Sequence, residues 1–345
     1  MIKATLENID KLIEKLLPSI LLIISYALIM VQETSRMYWP YIICTYIIGA
    51  GVYYIGQHKK EASLIGYLFP RKIWLHESSI NDYTLFIFNF FIYFNVIILF
   101  ISEPLFLQYG ASAVMSWLHV PQNTDTPTLA AGITFTIFTL LATELAYYIT
   151  HRAYHEIPFL WELHKVHHSA EVMTPLTFIR AHPVDLFIQN TMKLSAIAIS
   201  SGIFLYIYPN LEGMIMVAGI DAGMFVFYII GGNLHHSHIW LSFGNKVEHI
   251  LISPAQHQIH HSDNPKHYDK NYGSMIALWD WLFGSLYLVE KNENVQFGLG
   301  NQKDQKNYNS TLKLLYHPMK QMALILINSL RKSKASPPPP SRKKS

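Results

Sequence analysis

The sequence predicts an all-α integral membrane protein: about six transmembrane or re-entrant helices, with a helical cap on the cytoplasmic face holding a histidine-rich dimetal site. Three observations predict it. Charged residues make up 14% of the 345 positions, against roughly a quarter in ordinary soluble domains. The apolar residues gather into runs near the length that crosses a bilayer. One pattern, His-x-x-His-His, occurs twice: at His164, His167 and His168, and again at His257, His260 and His261.

The apolar runs lie at roughly 16–31, 38–56, 83–101, 129–149, 186–207 and 211–231, each near the ~20 residues a spanning helix needs. Too few polar residues remain to give buried helices a water-facing surface, which excludes a large soluble protein. Orientation follows from the basic residues. Lys3, Lys11 and Lys15 precede the first run, and Lys59, Lys60, Arg71 and Lys72 lie in the loop after the second. The 102–128 loop has no lysine or arginine, and Arg152, Lys165 and Arg180 follow the fourth run. That alternation places both termini and the histidine clusters in the cytoplasm, with 102–128 on the far side. The membrane is expected to be a bacterial inner membrane or the endoplasmic reticulum. The last two runs, joined around Pro209, could also form a shallow re-entrant hairpin.

Four segments follow: membrane helices over 1–128, a catalytic core over 129–290, a cytoplasmic extension over 291–330, and a basic, proline-rich tail over 331–345 that cannot bury a core. Met1 to Lys15 is charged and amphipathic with no small-residue cleavage site after it, so no cleavable signal peptide is expected. A single Cys44 excludes a disulfide framework and a cysteine metal site. The net charge of +3 comes partly from the tail and gives no reason to expect a nucleic-acid partner.

Fourteen of the eighteen histidines fall between His151 and His267, more than one metal ion needs. Neutral imidazole is a good ligand for iron, zinc and copper. Helix positions i, i+3 and i+4 share a face, so each cluster aims its rings one way. The fourth run has no helix breaker before Pro158, which carries His151 and His155 beyond the lipid on one helix. A short amphipathic helix after Pro158 carries His164, His167 and His168. Ser253, Pro254 and Gln256 read as N-cap, first position and capping box of a helix bearing the last cluster. His235, His236 and His238 follow the sixth run, and their spacing does not decide which point inward. His58, His76, His119, His249, His267 and His317 read better as surface or carbonyl-bonded core residues. Glu144 lies inside the fourth run, where function and a helix-to-helix hydrogen bond are equally good readings. Glu156, Glu162 and Asp263 adjoin the clusters and could orient an imidazole. Arg180, His182 and Asp185 form a polar set at the mouth of the site.

At these residues the chain resembles the fatty acid hydroxylase/sterol desaturase superfamily of membrane di-iron oxygenases, over about 134–290. The motifs are His-Arg-x-x-His-Glu at 151–156, His-x-x-His-His-Ser at 164–169 and 257–262, and Arg-x-His-Pro at 180–183. The resemblance implies two irons, with zinc as an adventitious replacement, and O2 as co-substrate. It also implies attack on an unactivated C–H bond of a lipid, whether acyl chain, sterol or ether lipid. The implied ligands are His151, His155, His164, His167, His168, His257, His260 and His261. The family adds a histidine from a His-Ser-Asn segment, which here reads His236-Ser237-His238, so His236 and His238 join the set with His235 as rival. Catalytic support is expected from Glu156, Arg180, His182 and Asp185. Without a flavin, haem or iron–sulfur motif, electrons are expected from a separate donor such as cytochrome b5 or a ferredoxin. The rival reading is a histidine-rich metal transporter or binding protein, whose ligands should line span interiors. A zinc protease is excluded, because His155-Glu156 is followed by Pro158 and no second histidine at the needed spacing.

Overall fold

A computed structural model describes residues 36–56, 63–97, 102–211, 213, 216–217, 220–290, 293 and 295–335. Among these the chain is helical, apart from a two-residue antiparallel pair, Met216–Val217 with Ile220–Asp221. The expected first span, 16–31, lies outside the described residues.

The second and third expected spans form α1 (Trp39–Ile55) and, after short α2 (Leu64–Leu68) and α3 (Arg71–Trp74), α4 (Glu77–Ile97). Next comes a departure from expectation. The 102–128 loop opens with a helix, α5 (Ser102–Trp117), because its run of apolar and small residues packs against a later span. The fourth expected span is α6 (Leu129–Glu156), N-capped by Thr128, whose side chain accepts from Ala131 N–H. It runs past the expected lipid boundary to Glu156, and Pro158 then restarts the chain as α7 (Pro158–His168). The fifth expected span is α8 (Pro183–Ile207). Helices α6 and α8 are the two described helices long and apolar enough to cross a membrane. Their outer faces carry exposed Ile133, Ile137, Phe138, Leu194 and Ile199, a surface suited to lipid rather than water.

The two spans pack side by side through stacked Phe135 and Phe204, ring centroids 4.9 Å apart. Helix α5 lies against α8 so closely that a Cβ at Gly202 would stand 2.3 Å from the Gln108 carbonyl oxygen. Only glycine permits that approach. Ser112 Oγ donates to the Gly202 carbonyl at the same contact.

The sixth expected span is corrected. Over 211–231 the described residues give the strand pair and an eight-residue helix, α9 (Ala222–Ile229), not a membrane-length helix. Gly213, Gly219, Asp221 and Gly223 interrupt its apolar run, and glycine weakens a helix interior. The chain leaving α8 at Ile207 is nevertheless back beside His167 by His236.

The cap is built from α7, α10 (Pro254–His260), α11 (Leu278–Phe283), α12 (Gln302–Gln305) and α13 (Thr311–Ala335). Helix α13 joins α4 and α7 through a buried cluster of Leu85, Val166, Tyr308 and Leu314. It also continues through Ala335, into the stretch expected to be a disordered tail; residues 336–345 lie outside the described residues.

Candidate metal centre

Nine imidazoles converge where α6 leaves the bilayer-length segment. They form two sets, His151, His155, His164, His168 and His260 in one, and His167, His236, His257 and His261 in the other. Within each set the ring nitrogens lie within 4.8 Å of one another. The sets touch, since the His168 and His261 rings stack at 4.5 Å.

The helices explain the sorting. Residues i+3 and i+4 both neighbour i on a helix but fall on opposite sides of it, about 100° apart, so they can serve different centres. Accordingly α6 sends His151 and His155 to the five-histidine set. Helix α7 sends His164 and His168 there but turns His167 to the other. The second motif does the reverse, as His257 and His261 serve the four-histidine set and His260 crosses to the five. The expected picture of each cluster aiming all its rings one way is therefore corrected for the two His-x-x-His-His motifs, each of which supplies both sets. The capping box of α10 is as expected, with Ser253 and Gln256 bonding reciprocally.

Hydrogen bonds on the outer nitrogens fix what the inner ones offer. His151 Nδ1 meets the Tyr272 carbonyl at 2.6 Å, His167 Nδ1 the Arg180 carbonyl at 3.0 Å, and His260 Nδ1 the Lys270 carbonyl at 2.7 Å. A carbonyl only accepts, so each Nδ1 carries the proton and each Nε2 of the neutral ring is a bare lone pair. His164 is held likewise, its Nδ1 donating to Asp185 Oδ2 at 2.9 Å. Yet Nε2 of His151 lies 3.0 Å from Nε2 of His164, lone pair against lone pair. Nε2 of His155, His168 and His260 are buried with no hydrogen-bond partner. Unpaired buried acceptors are costly, and a cation between them removes both penalties. Burial also drives the imidazoles toward neutrality, His167 down to about 3 and His260 down to about 4. At neutral pH they stand ready as ligands. The donor set fits metal ions.

A cavity of about 270 Å³ opens onto the five-histidine set, lined by His155, His168 and His260 with Trp161, Tyr268 and Asp269. It offers a route to this set from the cap side.

Of the other expected site residues, Asp185 alone hydrogen-bonds to a member of the two sets through its side chain. His238 is corrected: its Nε2 donates to the Tyr67 carbonyl at 2.7 Å, which fastens it outside both sets. The rival His235 is likewise spent on the Ile252 carbonyl. His182 is not at a site mouth. It caps α8 by accepting from Val184 N–H and donates through Nε2 to the Leu315 carbonyl, pinning α8 to α13. Arg180 is buried in an ion pair with Asp82 at 2.7 Å, and only its backbone carbonyl serves the site. Glu156 points to solvent and pairs with Arg152 along the helix. Glu162 holds Lys165 and the Tyr308 hydroxyl. Asp263 contributes its carbonyl to the Tyr268 hydroxyl.

Two carboxylates carry more of the architecture than their sequence settings suggest. Glu144 Oε2 accepts from Met275 and Ile276 N–H, and Asp280 accepts from Tyr272 and Gly273 N–H. Together they clamp the 272–276 loop whose first carbonyl orients His151. Asp280 was missed; a lone acid inside the apolar run LWDWLF was its one signal.

Asp185→Asn should lower metal affinity about 10–100-fold, because the amide holds His164 less firmly in its lone-pair-inward form. Glu156→Ala should leave metal content unchanged. Metal competition on the two purified variants checks this, and equal affinities would refute the assigned difference.

A buried cluster of neutral imidazoles under apolar helices defines a membrane-associated metal-binding helical protein. Residues 136–285 match the model of the Fatty acid hydroxylase family. Alkylglycerol monooxygenase of Danio rerio is 30% identical over 159 residues, which cover 46% of this chain and 31% of that protein. The Delta(7)-sterol 5(6)-desaturase of Aspergillus fumigatus is 30% identical over 173 residues, covering 47% and 43%. Lathosterol oxidase of Homo sapiens is 27% identical over 146 residues, covering 42% of each chain. The chain spans about a third of the length of the alkylglycerol monooxygenases it matches. No solved structure matches it.

Proposed function

We propose that this protein is a membrane-bound di-iron oxygenase that uses O2 to hydroxylate or desaturate an unactivated C–H bond of a lipid. The observation that carries the reading is the pair of touching imidazole sets, nine rings from four chain segments with their Nε2 lone pairs turned inward. Their position in a fatty acid hydroxylase segment supports it. Relatives named as a monooxygenase, a desaturase and an oxidase all oxidise substrates, two of them named for sterols and one for an alkylglycerol.

Five histidines would hold one iron and four the other. When bound, the metals supply O2 activation. The chain's own part is to hold the rings neutral, orient them through Tyr272, Arg180, Lys270 and Asp185, and keep bulk water from the reacting carbon. Electrons would come from a separate donor such as cytochrome b5 or a ferredoxin. The histidines sit at helix ends and in the cap rather than along span interiors, which favours this reading over a transporter. Mass spectrometry of total lipids from cells with and without the protein tests it. A gain of one oxygen marks hydroxylation and a loss of two hydrogens desaturation. An identical lipid profile for wild type and a His164→Ala, His260→Ala variant would overturn the assignment.

In this reading the cap and the metal centre face the cytoplasm, and the loop before α6 lies across the membrane. In a Cys44→Ser background, Thr124→Cys should react with an impermeant thiol reagent from outside, and Lys303→Cys should not. Reversed labelling would refute the orientation.

A further inference from the structure

Below the metal centre, between α6, α8 and α9, lies a second cavity of about 160 Å³. Its polar lining comes from Thr139, Thr143, Glu144, Lys193 and Ser274, and the rest of the wall is aliphatic, aromatic or methionine. A polar pocket among apolar spanning helices is expensive unless something satisfies it.

Two of its hydroxyls are unusual for their helix. Thr134, Thr136 and Thr150 each return the side-chain hydroxyl to the carbonyl four residues back, at 2.7–2.8 Å, the ordinary fate of threonine in an apolar helix. Thr139 and Thr143 do not, and their Oγ1 atoms are buried without a hydrogen-bond partner. Thr139 is only 3% exposed. Glu144 spends Oε2 on two backbone N–H groups, so Oε1 is the oxygen left for a ligand. Lys193 makes no ion pair within salt-bridge distance among the described residues. Its Nζ lies 5.8 Å over the Tyr147 ring, and that ring packs on His151 at 5.3 Å.

The complement of these groups is specific. A carboxylate or phosphate would meet the Glu144 carboxylate, and an amine would meet Lys193. A bare hydrocarbon would leave every polar group unpaired. An alcohol conflicts with none of them, since its O–H donates to Glu144 and its oxygen accepts from Lys193 and from one threonine hydroxyl. We infer that this cavity is the binding subsite for the hydroxyl-bearing end of a neutral lipid alcohol, with Lys193, Thr139 and Thr143 as its specificity-determining residues. The inference rests on the oxygenase reading for its catalytic meaning, though not for the binding itself. Thr143, Tyr147 and His151 follow one another at one-turn intervals on α6, so Thr143 and His151 are ~12 Å apart along the axis. The C–H bond attacked therefore lies toward the alcohol end of the lipid, not at the far end of its chain.

The test uses the full chain, iron-loaded, in detergent micelles, with radiolabelled hexadecylglycerol, hexadecanoic acid and hexadecane as probes. Binding is measured at equilibrium, apart from turnover. Wild type should bind the alcohol most tightly. Lys193→Met, and separately the Thr139→Val, Thr143→Val pair, should each weaken alcohol binding about tenfold through lost hydrogen bonds. Neither should alter hexadecane binding or iron content. Valine matches threonine in shape, so the pair reports the hydroxyls even if Lys193→Met folds poorly. Unchanged alcohol affinity in the threonine pair, or preference for the acid in wild type, would overturn the subsite. Residue-dependent alcohol binding with no oxidation of the bound probe would support the subsite and count against the oxygenase reading instead.

Discussion

Alanine at His164 should cost about one of two bound metal equivalents and essentially all turnover, because the five-histidine set loses the lone pair that Asp185 holds inward. His257→Ala should cost the metal of the other set with the same loss of activity. His238→Ala, two residues beyond His236, should change neither, since its ring is committed to the Tyr67 carbonyl. Elemental analysis beside an oxygen-consumption assay reads all three. Zinc in place of iron after overexpression would not count against the result, because imidazole sites accept zinc readily. Full metal content in His164→Ala, or metal loss in His238→Ala, would refute the division of rings described above.

The second large effect lies away from the metals. Arg180 is buried, and its guanidinium reaches Asp82 on α4, the Val166 carbonyl and Ser169 at the end of α7, and the Tyr308 carbonyl beside α13. Asp82 is equally buried and takes a further bond from the Thr177 hydroxyl. Arg180→Ala should therefore destabilise the protein by about 3–5 kcal/mol, chiefly because a buried carboxylate loses its cation. Restoring neutrality with Asp82→Asn in the same chain should recover part of that loss. Unfolding midpoints of the detergent-solubilised single and double variants check it. A loss under about 1 kcal/mol for Arg180→Ala would mean that the pair is solvated and carries little.

The sequence carried the features whose cause is local. Long apolar runs predicted α1, α4, α6 and α8, the proline at 158 predicted the break between α6 and α7, and Ser253 with Gln256 predicted the start of α10. Nine of the ten histidines expected at the metal site come together, because helical spacing brings rings within a motif onto neighbouring faces. What the sequence did not carry depends on partners distant along the chain. Whether His236 or His238 turned inward was decided by the Tyr67 carbonyl, and the fate of His182 by the Leu315 carbonyl. Arg180 looked catalytic because a charged residue among histidines reads so, until Asp82 was placed opposite it. Helix α5 was hidden because 102–128 reads only as the connection between two apolar runs, while its packing partner, α8, lies far along the chain.

The two histidine sets share α7 and α10. Helices α7 and α10 each serve both, two rings to one side and one to the other, so they act as a pair of crossed brackets rather than as separate holders. Fixing them for the first ion leaves less disorder to remove for the second, and by reciprocity the loss of either loosens its neighbour. The metal-free chain should thus fill in pairs, with half-filled molecules scarce at every stage of a titration. A one-residue slip in either motif would scramble both positions together, which makes the three-residue spacing a register mark for the whole centre.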